Sequence, residues 1–168
     1  MVSFFKFFSI ISPIIIFFII IIYSYILHLG LFPFLLFCFN LFLNYILKYH
    51  FFKPIMNDDY FYFIGFGRRP INARGCTLNP YNSDLATSYG MPSNHAQIFG
   101  FFIGFINKYF HQILPTFIIN NKILYYLSIF IFSLIISFLL FSRFYYNCHT
   151  FQQIFIGFFI GIFISSYL

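Results

Sequence analysis

The sequence predicts an all-α protein, a polytopic transmembrane helix bundle of about five spans. Three observations carry that reading. Of 168 residues, 61% are hydrophobic and 7% charged, and 32 Phe with long Ile runs exceed what a core of this size can bury. The apolar residues come in runs of membrane-crossing length. The polar residues collect in islands between those runs: Gly67-Arg68-Arg69-Pro70, then Ser88 to Gln97, then Ser142 to His149.

Residues 4–28 are apolar almost without break and interrupted by Pro13. That is ~25 residues, enough to span with some tilt. The run is too long for a signal peptide and lacks a small-residue cleavage site, so it reads as an uncleaved anchor. A second run, about 31–47, follows His28-Leu29-Gly30 closely, which predicts a helical hairpin. Residues 48–94 concentrate Lys48, Lys53, Asp58, Asp59, Arg68, Arg69, Arg74, several Asn and four prolines, and read as one long loop. Within it Phe61–Phe66 suits an interfacial segment, with Tyr60 and Tyr62 at headgroup level. Asn79 to Asp84 is turn chemistry. A third helix is predicted from about Ser93 to Leu114, ended by Pro115, a fourth over 121–141 and a fifth over 150–168.

Parity makes these elements useful. Two spans separate Ser93 from Arg143, and the first hairpin returns the chain to the side of the N-terminus. All three polar islands therefore meet at one bilayer face. Gly100 and Gly104 on the third helix and Gly157 and Gly161 on the fifth each form Gly-x-x-x-Gly, a spacing that lets membrane helices approach closely. That pairing would bring His95 and His149 into register.

The formal charge of +6 with only three acids is modest. A nucleic-acid binder would spread its cations over an exposed polar face, and none exists here. Lys6, Lys108 and Lys122 read as membrane-flank lysines, and His28, His50 and His111 as interfacial side chains. Cys38 reads as a packing or lipid-facing residue. Cys76 and Cys148 fall on one side of the bilayer, which leaves a disulfide open if that side is oxidising, though spacing alone does not establish it. No metal-ligand spacing appears among Cys, His and the acids, so neither metal nor cofactor is expected.

His95 and His149 stand apart because each opens a helix, where free N–H groups attract anions. Arg143 lies six residues before His149, and Arg69 precedes Pro70, which stiffens its turn. The arginine fork matches phosphate geometry and stays charged. Three arginines with only Asp58 and Asp59 nearby leave uncompensated positive charge, so an anion is the expected partner, and the set suggests phosphate chemistry at a lipid surface.

These residues resemble the three-part signature of the type-2 phosphatidic acid phosphatase (PAP2) superfamily, which runs Lys, six residues, Arg-Pro; Pro-Ser-x-His; Ser-Arg, five residues, His. Arg69-Pro70 matches the end of the first part and Pro92-Ser93-Asn94-His95 the second. Ser142-Arg143, five residues and His149 match the third. The stretch Tyr89 to Gln97, with His149-Thr150-Phe151-Gln152-Gln153, is most similar to the dolichyl-diphosphatase branch. The resemblance implies a bundle of PAP2/haloperoxidase-like type, with residues 1–29 as an anchor and 30–168 as the phosphatase domain around an active-site loop, 48–94. It implies that His149 attacks phosphorus, that His95 protonates the leaving oxygen, and that Arg69, Arg143 and Ser93 hold the phosphoryl oxygens without metal. Gln153, Arg68, Asn94 and Tyr62 are supporting candidates.

Two positions depart from the pattern. Tyr62 stands where the family lysine would be, and Arg68, Lys48 or Lys53 are candidates to replace it. Gln153 stands where an aspartate is usual, one helical turn past His149, where its carbonyl can still orient the ring. The implied substrate is a polyprenyl diphosphate losing its terminal phosphate, in the endoplasmic reticulum or a related endomembrane. The alternatives are a phosphatidate or other lipid-phosphate phosphatase, a lipid phosphotransferase, and a catalytically degenerate membrane interaction protein.

Overall fold

Helices make the framework. A computed structural model describes residues 4–56, 63–71, 73, 76 and 89–168, and among them there is no strand, only an isolated bridge between Arg68 and Tyr89. Helix α1 covers Phe4–Ile26 with Pro13 inside it. Proline has no N–H for the Ser9 carbonyl, and the Ser12 hydroxyl donates to that oxygen instead, at 2.9 Å. His28 (φ 53°) and Gly30 (φ 68°) turn the chain into α2, Phe32–Ile46, which opens on Pro33. The predicted hairpin is present, since α1 packs on α2.

The second helix does not stop near 47. It continues through a π-helical turn, Leu47–Phe52, into the short α3, Lys53–Ile55. The first part of the expected loop 48–94 is therefore helical. The wider π turn lets Lys48 point inward while Tyr49, His50 and Phe51 stay exposed. Residues 61 and 62 of the aromatic stretch lie outside the described residues, as do Asp58, Asp59, Arg74 and the turn at 79–84.

Helix α4, Asn94–Ile113, is followed by the single turn α5, Thr116–Asn120, then α6, Lys122–Tyr145, and α7, Phe151–Ser165. Each start has a chemical cause. The Ser93 hydroxyl accepts from Ala96 N–H, Asn121 Oδ1 accepts from Ile123 and Leu124, and Thr150 forms a capping box with Gln153. Three stretches, Lys6–Ile26, Phe32–Ile55 and Lys122–Tyr145, are long and apolar enough to cross a membrane. Helix α4 is less apolar, since Asn94, His95, Gln97, Asn107 and Lys108 interrupt it, and its Phe99, Phe101 and Phe105 join Ile20 and Phe37 in the core. With 15 residues α7 is about 22 Å long, short of a ~30 Å hydrocarbon layer.

The closest helix pair is α4 with α7. A Cβ on Gly161 would strike the Gln97 carbonyl, one on Gly100 the Phe158 carbonyl, and one on Gly157 would lie 2.5 Å from the Ser93 carbonyl. The two glycine pairs interlock as their spacing predicts. Their contact sets the starts of the two helices side by side, with the Ser93 N–H donating to the Gln153 carbonyl at 3.1 Å.

Candidate active site

Two helix starts, one helix end and one loop converge on His149. The ring is 2% exposed, and its Nδ1 lies 3.1 Å from Gln153 Oε1. Which ring nitrogen carries hydrogen follows from the other end of that glutamine. Its Nε2 donates to the Arg68 carbonyl at 2.7 Å and the Gly67 carbonyl at 3.3 Å, which fixes the amide with its oxygen towards the histidine. Gln153 Oε1 also accepts from Thr150 N–H. Nδ1 is thereby the donor, and Nε2 keeps its lone pair. One side chain orients the imidazole and clasps the Gly67-Arg68-Arg69 segment against α7. The Thr150 hydroxyl adds a bond to the Gly65 carbonyl.

Around this ring stand cations. Arg143, 2% exposed in the last turn of α6, donates Nη2 to the Cys76 carbonyl at 2.8 Å, while its buried Nε has no partner. Nε and Nη1 of Arg69 are likewise buried and unpartnered, as is Nε2 of His95. Buried donors of this kind are rare unless a ligand completes them. The chain's three acids all lie outside the described residues, so no carboxylate among the described residues answers this charge. Burial, and then the charges of Arg69, Arg143 and Lys48, hold the His149 pKa well below the ordinary imidazole value. Burial also lowers that of Arg69. A neutral imidazole lone pair surrounded by unfilled cationic donors can attack a phosphorus whose oxygens those donors hold.

Lys48 joins this group. It is 8% exposed, and its charge acts on both His95 and His149. Lys53 instead is exposed with its Nζ 6.0 Å from the Tyr49 ring centroid, and Arg68 is exposed with its carbonyl on Gln153. The Tyr89 hydroxyl ties the Lys48 turn to the loop, donating to the Phe52 carbonyl at 2.7 Å, and burial pushes its pKa up to about 12. Gly90 N–H bonds the Gly67 carbonyl at 2.9 Å.

One polar network escaped the sequence reading. Gln97 Nε2 donates to Asn40 Oδ1 (2.9 Å) and to the Asn40 carbonyl (2.8 Å), and Asn44 Nδ2 donates to Gln97 Oε1 (2.7 Å). All three residues are buried. The signal was available, because Asn40, Asn44 and Lys48 recur every four residues through an otherwise apolar run, a polar stripe on one face.

Of the candidate residues, His149, His95, Arg143, Arg69 and Gln153 gather as described. Ser93 is fully buried as the cap of α4, and half-buried Asn94 opens that helix. Tyr62 lies outside the described residues. Cys76 and Cys148 form a disulfide, Cα atoms 5.5 Å apart, so the residue before His149 is cross-linked to the loop whose carbonyl holds Arg143. No cluster of three metal-ligating side chains occurs among the described residues.

The family model of the PAP2 superfamily matches residues 29–168. No curated protein and no solved structure matches the chain.

Proposed function

This chain belongs to the PAP2 superfamily, and we propose that it is an integral-membrane lipid-phosphate hydrolase working through a phosphohistidine at His149. The observation that carries the reading is the set of buried, unpartnered donors of Arg69, Arg143 and His95 around a neutral His149. In the first step His149 Nε2 bonds to phosphorus. The phosphorus–oxygen bond to the leaving group breaks, and the departing oxygen keeps the electron pair and takes a proton from His95. In the second step water bonds to phosphorus and gives a proton to His95, the phosphorus–nitrogen bond breaks with its electron pair returning to His149 Nε2, and phosphate leaves. Arg69, Arg143 and Ser93 are the residues to hold the transferring oxygens. Lys48, rather than Lys53 or Arg68, supplies the charge that Tyr62 does not.

A polyprenyl diphosphate is the substrate favoured by the wording of the Tyr89–Gln97 stretch and by Gln153. A groove of about 410 Å³ between α1, α2 and α4, walled by Pro13, Phe17, Phe37, Leu41 and Ile98, ends at Asn94 beside Ser93 and suits an apolar chain. The Cys76–Cys148 disulfide favours an oxidising side for the site, as in the lumen of the endoplasmic reticulum.

The test is phosphate release by purified protein in detergent from dolichyl diphosphate, phosphatidate and diacylglycerol diphosphate, without metal or acceptor lipid. Release that His149→Ala abolishes is expected, fastest on the polyprenyl diphosphate. Release only when an acceptor lipid is added would make the protein a phosphotransferase, and a fully active His149→Ala would remove the nucleophile.

A further inference from the structure

Helix α1, which lies outside the matched residues 29–168, touches the third polar island at two points. The Ser9 and Ser142 hydroxyls are 2.6 Å apart, and Lys6 Nζ stands 5.5 Å from the Tyr146 ring centroid. Lys6 and Ser9 are three residues apart on α1, and Ser142 and Tyr146 four apart at the end of α6, so each pair shares a helix face. The two helices therefore meet antiparallel, and Arg143 falls between the two residues of α6 that α1 touches. This contact is buried, with Ser9 at 0%, Ser142 at 4% and Arg143 at 2% exposure.

The hydroxyl pair is unlike the other serine contacts of the helices. Ser128, Ser133, Ser165 and Ser166 give their hydrogens to carbonyls of their own helices. Ser142 does the same with the Leu139 carbonyl, at 2.6 Å. A carbonyl only accepts and a hydroxyl has one hydrogen, so the bond between the helices uses the hydrogen of Ser9. What Ser9 holds is the last turn of α6. In that turn the Arg143 carbonyl accepts from Cys148 N–H at 2.9 Å and from His149 N–H at 3.2 Å. The Arg143 side chain donates Nη2 to the Cys76 carbonyl and keeps a buried Nε without a partner. One backbone unit thus carries both the guanidinium and the segment that leads into His149.

We propose that Ser9 is a positioning residue for phosphate binding, pinning Ser142 so that the Arg143 guanidinium meets the transferring oxygens. This rests on the phosphatase reading above. Ser9 acts through Ser142 and Arg143 and touches no substrate.

Orthovanadate separates such a role from general packing, because it takes up the geometry of a transferring phosphoryl group and draws on the same arginine. In Ser9→Ala, kcat/KM on phosphatidate should fall about three- to tenfold, the range of one hydrogen bond. The orthovanadate inhibition constant should rise by the same factor. A loss of turnover with that constant unchanged, as from a variant that merely folds less completely, overturns the proposal, and so does no change in either. The double variant Ser9→Ala/Ser142→Ala should be no worse than Ser142→Ala alone, since both remove one shared bond, and additive losses overturn the proposal. Should Ser9→Ala fail to give a single species on size exclusion, Ser9→Cys, which fills the same space with a weak donor, decides by the same two readouts. A parent protein without turnover on any phosphate substrate would remove the phosphatase reading, and thermal unfolding in detergent then decides the role of Ser9. Orthovanadate should raise the midpoint of the parent and raise it less in Ser9→Ala. An equal rise in both, or none in the parent, overturns the proposal.

Discussion

At Gln153 one amide performs two tasks that a carboxylate could not combine. Its oxygen takes the His149 Nδ1–H and the Thr150 N–H, and its nitrogen gives hydrogens to the Gly67 and Arg68 carbonyls. Gln153→Glu keeps the first task and sets a second oxygen against two carbonyls. Losing buried donors costs roughly 1–3 kcal/mol each, so thermal unfolding in detergent should show a clear loss of stability, with activity reduced through a displaced Arg69 segment. Gln153→Ala should lose activity still further, because the ring loses its orienting partner. His149 also sets a pH dependence. Its folded pKa lies well below the ordinary value, so the proposed nucleophile stays neutral into acid, and the acid limb of kcat/KM should fall below about pH 6.5. The sign for stability follows from the same shift. Below about 6.5 the unfolded chain binds a proton that the folded chain refuses. Stability is therefore full above that pH and declines as pH falls towards and through the lowered native value. His149→Gln should flatten the decline, as pH-dependent unfolding would show. Legibility at this scale was uneven. His95, His149, Arg69 and Arg143 were visible because charged and ring-nitrogen side chains are conspicuous in an apolar chain. Lys48 could not be told from Lys53, since only the wider turn at 47–52 decides which of them faces inward.

Among the elements, the α4–α7 contact decides whether the two histidines share a site. Gly161→Ala places a methyl into the Gln97 carbonyl, and Gln97 is also the hub of the Asn40–Asn44 network. Backbone cannot yield there as a side-chain tip can, so a loss of about 1–3 kcal/mol is expected. Turnover should fall with it as His95 and His149 separate. Gly104→Ala would meet the Ser165 side chain instead, which can rotate, and should be milder. The pairing itself was readable from four-residue glycine spacing. The continuation of α2 past 47 was not, because Lys48, Lys53 and Pro54 resemble loop composition, while the helix in fact runs on through the wider π turn Leu47–Phe52 and Pro54 follows directly after it. Tyr89→Phe tests the tie between that turn and the loop. Removing its bond to the Phe52 carbonyl should cost about 1 kcal/mol and raise KM more than it lowers kcat, as steady-state kinetics would show, by loosening Lys48.

Across the whole molecule, three distant stretches and one covalent link make a single cup. The three islands meet in space as the counting of apolar runs predicted, while among the described residues three stretches, against the five spans counted, are long and apolar enough to cross a membrane. The contact of α1 with the third island did not follow, because Ser9 looks like an ordinary residue of an anchor until its bond to Ser142 is known. The disulfide was undecided for a related reason: 72 residues separate its cysteines, and only the folded loop brings them within reach. Cys76 supplies the carbonyl that holds Arg143, and Cys148 neighbours His149. Incubation with dithiothreitol should therefore lower activity on every phosphate substrate alike, and Cys76→Ser should do the same without reductant. A catalyst built this way has its readiness written into its oxidation state. A newly made copy still carrying two thiols would hold Arg143 and His149 less firmly and turn over more slowly, so that its pace is set in part by the compartment and not by the chain alone.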